Sequence, residues 1–336
     1  MNAPLRLCFV VNAIDDLVVT MTTFMLVRRA VAAGHTVHVT GVDDLGVARD
    51  GRLIAKACTI EAGSLGAEAL TVAALRDTEV GWIELDLIDA LLMRTNPARD
   101  AQGAHETALA LARVARDRGV VVLNDPDGLI RASSKLYLMQ LDERYRPVTE
   151  VSRDVDRLLA FINGAPGRCV LKPLAGTRGR DVFVVEPGGQ NLRQIAEVVT
   201  REGYGMAQHF VPEATQGDVR VVVMDGNVLE VDGKSLAVAR VPHETDFRSN
   251  IHAGGHAEPG EVTDAMREAI AAAAPFLARD GIFLSGLDFI GTRIVEINVY
   301  ATGGFRDAER YYERDFTGAV LDAITVKVEA ARRDAS

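Results

Sequence analysis

The 336-residue chain has few of the residues that mark a secreted or membrane protein. Its three cysteines, Cys8, Cys58 and Cys169, are odd in number and have no metal-binding spacing, which is typical of a reducing compartment. No apolar stretch approaches the roughly 20 residues of a membrane span, and the N-terminus lacks the basic and apolar regions of a signal peptide. We therefore expect a cytoplasmic protein without a membrane partner.

Features that suit nucleic acid or a dinucleotide are also missing. The formal net charge is -10, no basic run stands out, and the sparse Tyr and Phe are not interleaved with basic residues. Nucleic acid is therefore not expected as a partner, and any phosphate site must be locally basic. The first apolar strand, residues 5–11, leads into Asn-Ala-Ile-Asp-Asp and not into a glycine-rich turn, which argues against nicotinamide binding.

The patterns that are present predict two or three packed units. Residues 1–125 alternate strands with helices and predict an open α/β substrate-binding domain with a mostly parallel sheet. We place a central subdomain at residues 126–205 and a C-terminal subdomain at residues 206–336. In the first domain the predicted strands are 5–11, 36–40 (ended by Gly41), 91–94 and 120–123, and the predicted helices are 20–33 and 103–118.

The stretch from Ser285 to Val299 alternates like a β-hairpin. If its loop is the three residues 291–293, Asp288 pairs opposite Glu296 and shares a face with Asn298. A two-residue loop would put the two carboxylates on opposite faces. The first register gives an oxygen-only site suited to magnesium, whereas the alternative reading is a solvated sheet face. The apolar residues expected behind this face are Leu287, Phe289, Val295, Ile297 and Val299.

Two lysines fall where phosphate could bind. Lys135 lies within a helix predicted over residues 129–139, where a lysine is most often solvated. Lys172 alternates with apolar residues in a strand predicted over 169–173, and a glycine-bearing loop at 174–180 follows it. Backbone N–H groups of such a loop, with a lysine beside them, suit phosphate, although an ordinary hairpin would have the same pattern.

Polar residues follow the strands of the first domain. Asn12, Asp15 and Asp16 come after the first strand, and Arg94 ends a later one. Ligands of open α/β sheets lie beyond the carboxyl ends of the strands. Arg94 could hold a substrate carboxylate in a forked pair, and the alternative is a surface arginine at a strand end.

The second half continues with strands and helices. Residues 181–186 predict a strand, and residues 192–202, 263–280 and 314–332 predict helices. Residues 206–211 read as an edge strand that could present its backbone to a purine, with His209 packed. The turn Asp225-Gly226 predicts a hairpin whose second strand is either 228–231 or 236–241. The long polar segment 242–260 has the length of a functional lid.

The order of motifs resembles bacterial glutathione synthetase, a member of the ATP-grasp superfamily. The motifs are LMRTNP, NDPDGLIRASSK, VLKPLAG, MAQHFVPE, GDVR, FRSNIHAGG and GLDFIGTRIVEINV. The resemblance covers nearly the whole chain and is densest between residues 124 and 299. It implies an ATP-grasp fold that combines α/β and α+β parts, with an N-terminal open α/β domain and with ATP held between the other two units.

The resemblance also implies roles for individual residues. Those expected to bind ATP are Lys135, Lys172, Gly176, Thr177, Gly179, Gln208, His209, Phe210, Val211 and Asp218. Those expected to hold two magnesium ions, with manganese possible, are Asp288, Glu296 and Asn298. Those expected at the reacting acyl group are Arg220, Arg240 and Arg248. Those expected to contact substrate are Asn12, Asp15, Arg94, Tyr300, Thr302 and Gly303.

Family members make an acyl phosphate from a carboxylate and ATP, and an amine then displaces phosphate to form an amide. They are commonly oligomeric, so we expect a homo-oligomer, a dimer or tetramer, acting on small carboxylate and amine substrates. Four segments depart from the family pattern. Tyr300 to Gly304 replaces the usual Thr-Ser-Pro-Thr, and Arg178 and Arg180 stand in the phosphate loop. Residues 228–236 form a longer segment, and residues 12–16 lack the usual Asp-Pro.

These departures leave the substrates open. The chain could make glutathione, or it could join another amino acid or peptide pair in a specialised pathway. A non-catalytic nucleotide-binding regulator is a different class, but the retention of the full set argues against it, namely Lys135, Lys172, Asp288, Glu296 and Asn298. A ligase acting on a ribosomal peptide would be expected to carry a peptide-docking element, and no extra domain is apparent.

Overall fold

The computed structural model describes residues 3–64, 70–97, 103–174, 181–241 and 256–334. Its strands are β1 Arg6–Val11, β2 Thr36–Val47, β3 Leu53–Ile60, β4 Val80–Glu84, β5 Ala90–Met93, β6 Val121–Leu123, β7 Thr149–Ser152, β8 Cys169–Pro173, β9 Phe183–Val185, β10 Gly205–His209, β11 Asp218–Met224, β12 Asn227–Val228, β13 Glu230–Val231, β14 Lys234–Ser235, β15 Ala237–Val241, β16 His256–Pro259, β17 Leu284–Ile290 and β18 Arg293–Asn298. Its α-helices are α1 Thr22–Ala32, α2 Val72–Arg76, α3 Ala104–Asp117, α4 Pro126–Ala132, α5 Val155–Asn163, α6 Leu192–Thr200, α7 Asp264–Arg279, α8 Phe305–Tyr312 and α9 Phe316–Asp334. None of the helices in these ranges is both long and apolar enough to cross a bilayer.

The first sheet has the strand order β4-β3-β2-β1-β5-β6. Strands β2, β1, β5 and β6 run parallel, as the βαβ pattern predicts, while β3 and β4 add an antiparallel edge. The predicted end of the second strand at Gly41 is wrong, because β2 continues to Val47 and pairs with β3 after an irregularity between Thr40 and Leu45. Helices α1 and α9 cover one face of this sheet and α3 covers the other.

The middle sheet, β7-β10-β8-β9, is antiparallel, and α5 and α6 cover one of its faces. Leu171 and Ala207 point into that helix-covered core. Because side chains alternate along a strand, Lys172, Met206 and Gln208 share the opposite face. The prediction of an edge strand at 206–211 is wrong, since β10 is paired on both sides. The predicted boundary between the central and C-terminal subdomains lies between residues 205 and 206 and would cut β10. We propose that the boundary lies beyond His209.

The third sheet has the order β16-β15-β11-β17-β18, with β12 beside β11. Both candidate partners of the hairpin at Asp225-Gly226 are used: β11 pairs with Val228 through the tight turn and with residues 237–240 along most of its length. Helix α7 covers one face, where Leu287, Phe289 and Ile294 are fully buried. The other face is packed by α8 and α9 at one end and carries charged side chains at the other.

The register of β17 and β18 confirms that Asp288 lies opposite Glu296, but the predicted loop is wrong. Ile290 pairs with Arg293, so the loop has two residues, and a bulge between the pairs Phe289–Ile294 and Asp288–Glu296 shifts the register by one. Val295 is therefore the extra residue, and Ile294 takes the core position expected for it. A β-bulge of this kind re-aims the side chains that follow it.

The predicted helix over residues 129–139 is also wrong, because it is two shorter pieces. Helix α4 begins at Pro126, where the Asp125 carboxylate accepts hydrogen bonds from the backbone N–H groups of Asp127 and Gly128. It ends at Ala132, and a 3-10 helix over Lys135–Gln140 follows, capped by the Ser134 hydroxyl. Lys135 is thus the first residue of the second piece. The helices predicted over 20–33, 103–118, 192–202, 263–280 and 314–332 are confirmed as α1, α3, α6, α7 and α9.

Candidate functional site

The charged half of the third sheet is centred on Asp288. Arg220, directly opposite it on β11, donates from Nε to Oδ1 at 2.6 Å and from Nη2 to Oδ2 at 2.7 Å. Arg240 Nη2 lies 2.8 Å from Oδ2, and its Nε donates to Asp218 Oδ1 at 2.5 Å. Asn298 Nδ2 adds a hydrogen bond of 3.2 Å to Oδ2. Two of the three predicted arginines and two of the three predicted metal ligands thus form one network.

This network stays charged. Burial alone would raise the pKa of Asp288, but the Arg220 and Arg240 guanidinium groups outweigh it and hold the pKa well below its usual range. Burial would likewise lower the pKa of Arg240, and Asp288 and Asp218 reverse the shift. Because each buried charge has a hydrogen-bonded partner of opposite sign, the cluster avoids the desolvation cost of an unpaired ion.

The two predicted lysines lie near each other and near Glu296. Lys135 Nζ donates to the carbonyl of Leu174, just after β8, at 3.0 Å. Burial lowers the pKa of both lysines, to about 8 for Lys172, and the negative charge of Glu296 opposes the shift in each. Lys135 itself is a further cause of the lowered pKa of Lys172. Both lysines therefore lie near Glu296, which faces Asp288 across β17 and β18.

The oxygen donors suit a hard divalent cation. Asp288 and Glu296 face each other across β17 and β18, and Asn298 lies two pairs farther along, on the same face. Across the ranges that the structure describes, no group of three or more His, Cys, Asp and Glu side chains is arranged to hold a metal ion. Two carboxylates and an amide leave several positions of a magnesium octahedron for phosphate oxygens and water, which is how nucleotide-associated magnesium is usually bound.

The predicted adenine-lining residues divide between the faces of the middle sheet. Gln208 is buried on the Lys172 face and donates from Nε2 to the Thr149 hydroxyl at 3.0 Å. His209 packs on the helix side, with its ring 5.1 Å from that of Phe161, which confirms the prediction that it is packed. Its side chain is therefore turned away from Gln208. The next two residues are Phe210, which lies 4.2 Å beneath the Arg168 guanidinium, and the buried Val211.

Several predicted residues lie outside the described ranges. They are Gly176, Thr177, Gly179 and Arg248, together with Arg178, Arg180 and most of the predicted lid at 242–260. The strands on either side of residues 242–255 are described, and Val241 pairs with His256. The two ends of that segment are thus held side by side, next to Arg240.

Arg94 is buried at the carboxyl edge of the first sheet, so the alternative of a surface arginine is wrong. It is 7% exposed, and it donates from Nε to the Thr23 hydroxyl at 3.3 Å and from Nη2 to the Thr302 carbonyl at 3.2 Å. Burial lowers its pKa to about 10. No carboxylate among the described residues pairs with it, which is unusual for a buried guanidinium.

The other N-terminal candidates are placed differently from one another. The Asn12 side chain and the backbone of Asn96 exchange two hydrogen bonds, at 3.0 and 2.7 Å, which fixes the end of β1 beside the loop after β5. Asp15, in a 3-10 turn over Ile14–Asp16, has a side chain that is 94% exposed and 3.6 Å from Arg76. Asn12 therefore has a fixed position, whereas Asp15 reaches into solvent.

The segment after β18 crosses between the first and third sheets. The Tyr300 hydroxyl donates to the Leu129 carbonyl at 3.0 Å, and its ring meets His105 edge-on at 5.4 Å. The Thr302 hydroxyl is buried without a hydrogen-bond partner among the described residues, and a Cβ at Gly286 would come within 2.2 Å of it. Gly303, which follows, is half-buried. Arg94 contacts this segment at the Thr302 carbonyl, and Arg220 lies against it near Gly304, so both arginines border the same segment.

Three residues of this region were not anticipated from the sequence. Thr23 and His105 lie on helices that cover the first sheet, and nothing in their sequence context singles them out. Asn124 stands in the quoted motif NDPDGLIRASSK, so the resemblance covered it without assigning it a role. Its side chain makes three buried hydrogen bonds to the backbone of Leu284 and Val299.

Two family profiles match the chain. A profile described as "Prokaryotic glutathione synthetase, N-terminal domain" matches residues 5–130, and one described as "Prokaryotic glutathione synthetase, ATP-grasp domain" matches residues 134–313. The chain belongs to the prokaryotic glutathione synthetase family. Among its relatives are glutathione synthetases from Vibrio cholerae, 33% identical over 92% of this chain and 93% of the relative, and from Xanthomonas campestris, 32% identical over 90% and 92%.

Solved structures agree on the fold. The ATP-grasp ligase PsnB complexed with minimal precursor, Mg and ADP superposes with a TM-score of 0.61 at 18% identity, covering 96% of this chain and 98% of that one. D-cycloserine synthetase DcsG gives a TM-score of 0.61 at 15% identity, covering 96% and 99%. The glutathione synthetase-like chain therefore has the ATP-grasp fold, and it is an ATP-dependent carboxylate-amine ligase that uses ATP and a divalent metal.

Proposed function

We propose that this ligase activates a small carboxylic acid as an acyl phosphate and transfers the acyl group to the amine of an amino acid or short peptide, releasing ADP and phosphate. The observation that carries the proposal is the convergence of Lys135, Lys172 and Glu296 on the face that holds Asp288 and its arginines. These side chains would combine cations for phosphate with oxygens for a metal.

The positive side chains fit the electrostatics of the first step. A carboxylate that attacks the γ-phosphoryl group of ATP brings like charges together, so catalysis requires fixed cations around both. Lys135 and Lys172 would contact the nucleotide phosphates, and Arg220 and Arg240 would stabilise the reacting acyl group. We propose that Arg248 stabilises the oxyanion that forms when the amine attacks the acyl carbonyl.

Asp288, Glu296 and Asn298 would hold the divalent metal, which we propose to be magnesium, as two ions, with manganese as a substitute. When bound, the metal neutralises phosphate oxygens. On the nucleotide side, we propose that Gln208 and the backbone from His209 to Val211 line the adenine, that Asp218 reaches the ribose, and that Gly176, Thr177 and Gly179 belong to the loop that covers the phosphates.

The acid substrate would bind at the edge of the first sheet. Within the described part of the chain no carboxylate pairs with the buried Arg94, and a substrate carboxylate beside it would supply the counter-charge. Asn12 is fixed at the same edge, and Asp15 lies nearby in solvent. Tyr300, Thr302 and Gly303 would border the space between this acid and the reacting centre.

The segment from Tyr300 to Gly304 favours a substrate pair other than γ-glutamylcysteine and glycine. It replaces the usual family sequence at a place where the structure packs Tyr300 against His105 and buries Thr302. When the side chains that border a substrate differ, a different substrate is the one that pairs all the polar groups of the site. The preferred substrate therefore changes. Glutathione synthesis is therefore the second candidate, supported by the family match.

A phosphate-release assay tests this proposal. The purified chain is incubated with ATP and magnesium and with pairs of acids and amines that include γ-glutamylcysteine with glycine. We expect release that requires both members of one pair, with the amide found by mass spectrometry. Failure of every pair, together with tight ATP binding, would favour the non-catalytic regulator. Light scattering of the same sample tests the expected dimer or tetramer. The cytoplasmic location stays a prediction.

The metal site has its own test in Glu296→Gln. Glu296 is exposed, so its replacement should change the free energy of unfolding by no more than about 0.5 kcal/mol. Turnover should fall about a hundredfold or more, because a negatively charged metal ligand is lost. The exposed Glu261→Gln serves as the matched control. Turnover that survives in Glu296→Gln would remove this residue from the metal site.

A further inference from the structure

Asp280, the residue after α7, carries a fully buried carboxylate. Its side chain is 0% exposed. It accepts hydrogen bonds from Arg131 Nη1 at 2.8 Å, from Arg279 Nε and Nη2 at 2.9 and 2.8 Å, and from the Tyr137 hydroxyl at 3.0 Å. Arg279 is the main cause that lowers its pKa to about 2, against the effect of burial, and Arg131 and Tyr137 add to it. Both carboxylate oxygens are therefore fixed in charge and orientation.

The groups around Asp280 lead to the segment that carries Lys135. Tyr137 lies within the 3-10 helix over Lys135–Gln140, and Arg279 Nη2 also donates to Gln140 Oε1, at the end of that helix, at 2.6 Å. A 3-10 helix has poorer hydrogen-bond geometry than an α-helix, so a short one depends on tertiary contacts for its position. Asp280 supplies one such contact through Tyr137, and Arg279 supplies a second through Gln140.

Backbone packing leaves this region little room to shift. A Cβ at Gly128 in α4 would come within 1.7 Å of the Asp280 carbonyl oxygen, so α4 rests directly on the end of α7. The Tyr137 ring meets Phe276 of α7 edge-on at 5.3 Å. Lys135 begins the 3-10 helix that rests on these residues. Its ammonium group donates to the Leu174 carbonyl just after strand β8, where we propose that the nucleotide binds.

We infer that Asp280 is a positioning residue, which fixes the 3-10 helix through Tyr137 and Gln140 and so aims Lys135 at the nucleotide phosphates. The inference rests on the proposed role of Lys135. It differs from simple stabilisation, because Asp280 must then affect nucleotide affinity in protein that is fully folded. Side chains held by such supporting contacts lose binding strength when the contacts are removed.

Calorimetric titration of the full-length protein with ADP and magnesium tests the inference. Asp280→Asn and Tyr137→Phe are measured well below their melting temperatures, and we expect the Kd for ADP to rise about tenfold in each. Asp89→Asn is the matched control. Asp89 accepts hydrogen bonds from Arg332 at 2.6 Å and from the Arg6 backbone at 2.8 Å, on the far side of the first sheet, so its Kd should stay within about twofold.

A double-mutant cycle separates positioning from a general effect. If Asp280 acts through Lys135, the pair Asp280→Asn with Lys135→Met should bind ADP as weakly as Lys135→Met alone. Losses that multiply, or an unchanged Kd in both Asp280→Asn and Tyr137→Phe, would overturn the inference. Should Asp280→Asn fail to fold, Tyr137→Phe, which removes one hydroxyl, decides alone. An unchanged Kd in Lys135→Met would refute the proposed role of that lysine, and the inference with it.

Discussion

At the scale of single residues, the candidate site uses two kinds of charge. Asp288, Arg220 and Arg240 compensate one another within hydrogen-bonding distance. Lys135 and Lys172 are the opposite case, because burial lowers the pKa of both although Glu296 acts in the other direction. Half-buried cations of this kind are suited to an anionic ligand, whose negative charge favours the protonated amine.

The lowered pKa of Lys172 makes stability depend on pH. Its pKa falls from an ordinary 10.5 to about 8 in the folded protein. Between these values the unfolded chain binds the extra proton, so the free energy of unfolding rises with pH in that window. Below the folded pKa the lysine is charged in both states and the burial penalty is complete. We therefore expect Lys172→Met to be more stable than the unchanged protein at neutral pH, by a margin that shrinks as the pH passes from about 8 to about 10.

Urea unfolding at several pH values measures this margin. The exposed Lys234→Met gives the matched control, and its margin should not change with pH. A Lys172→Met margin that stays constant between neutral and alkaline pH would show that Lys172 is not desolvated. ADP binding by the unchanged protein should weaken over the same range, since a neutral amine attracts phosphate less.

The residue types of the site could be read from the sequence, but their partners could not. Asp288, Glu296 and Asn298 were identified from alternation, and the lysines from their neighbours and the family resemblance. Two examples are the ion pair between Arg240 and Asp218 and the burial of Arg94 beneath Thr302. Both depend on parts of the chain that come together only in the folded protein. Spacing along a sequence carries no information about such contacts.

At the scale of elements, one bulge determines where the acidic residues point. The two-residue loop between β17 and β18 would by itself put Val295 opposite Asp288. The bulge accommodates Val295 as an extra residue and brings Glu296 opposite Asp288. The sequence predicted the correct pairing for the wrong reason, because a three-residue loop and a two-residue loop with a bulge shift the register by the same amount.

This geometry predicts that Val295 can be deleted. Without it the ladder becomes regular, Glu296 stays opposite Asp288, and Ile294 stays in the core. We expect a loss of about 1–2 kcal/mol in the free energy of unfolding, from the apolar surface of one half-buried valine and from local strain. Turnover should be retained to within about tenfold, because no proposed ligand changes face. Urea unfolding and phosphate release measure the two effects.

Deletion of Ile297 is the matched control. It lies on the same strand beyond Glu296, and its removal would turn Asn298 toward the apolar face and Val299 toward the charged one. We expect no measurable turnover in that variant. If both deletions abolish turnover equally, the bulge has a role in the site beyond setting the register.

The misread elements share a physical cause. The helix predicted over 129–139 has suitable apolar spacing, but Ser133 and Ser134 interrupt it, since a serine hydroxyl caps a new helix start as readily as it continues an old one. Strand β10 was taken for an edge because Gln208 and His209 are polar. In the structure Gln208 is buried and bonded to Thr149, so its polarity is satisfied inside the sheet.

At the scale of the whole molecule, the first and third sheets are joined by a few polar side chains. Arg94 reaches the Thr302 carbonyl, and Asn124, at the end of β6, reaches both sides of the β17–β18 hairpin. The sequence predicts the fold class and the mostly parallel first sheet from local patterns. It does not predict these bridges, because each is made by one residue with the backbone of a segment more than a hundred positions away.

Asn124 is the bridge whose loss should be most severe. Its Nδ2 donates to the carbonyls of Leu284 and Val299 at 2.8 and 2.6 Å, and its Oδ1 accepts from the Leu284 N–H at 2.8 Å. All three bonds are buried, so Asn124→Ala leaves three backbone groups unpaired, and we expect a loss of about 3 kcal/mol or more in the free energy of unfolding. Asn227→Ala, at an exposed residue with one local bond, should lose no more than about 0.5 kcal/mol.

The same change should also weaken the site, because Leu284 begins the strand that carries Asp288 and Val299 follows the strand that carries Glu296. In folded Asn124→Ala, at a temperature well below its melting point, we expect a higher Kd for ADP with magnesium, measured by calorimetry. Since Asn124 contacts the backbone at the ends of both strands and touches neither carboxylate, such a rise would show that the first sheet helps to hold the metal-binding hairpin in place. A stability loss below about 1 kcal/mol, or an unchanged Kd, would mean that the third sheet keeps its geometry without this bridge.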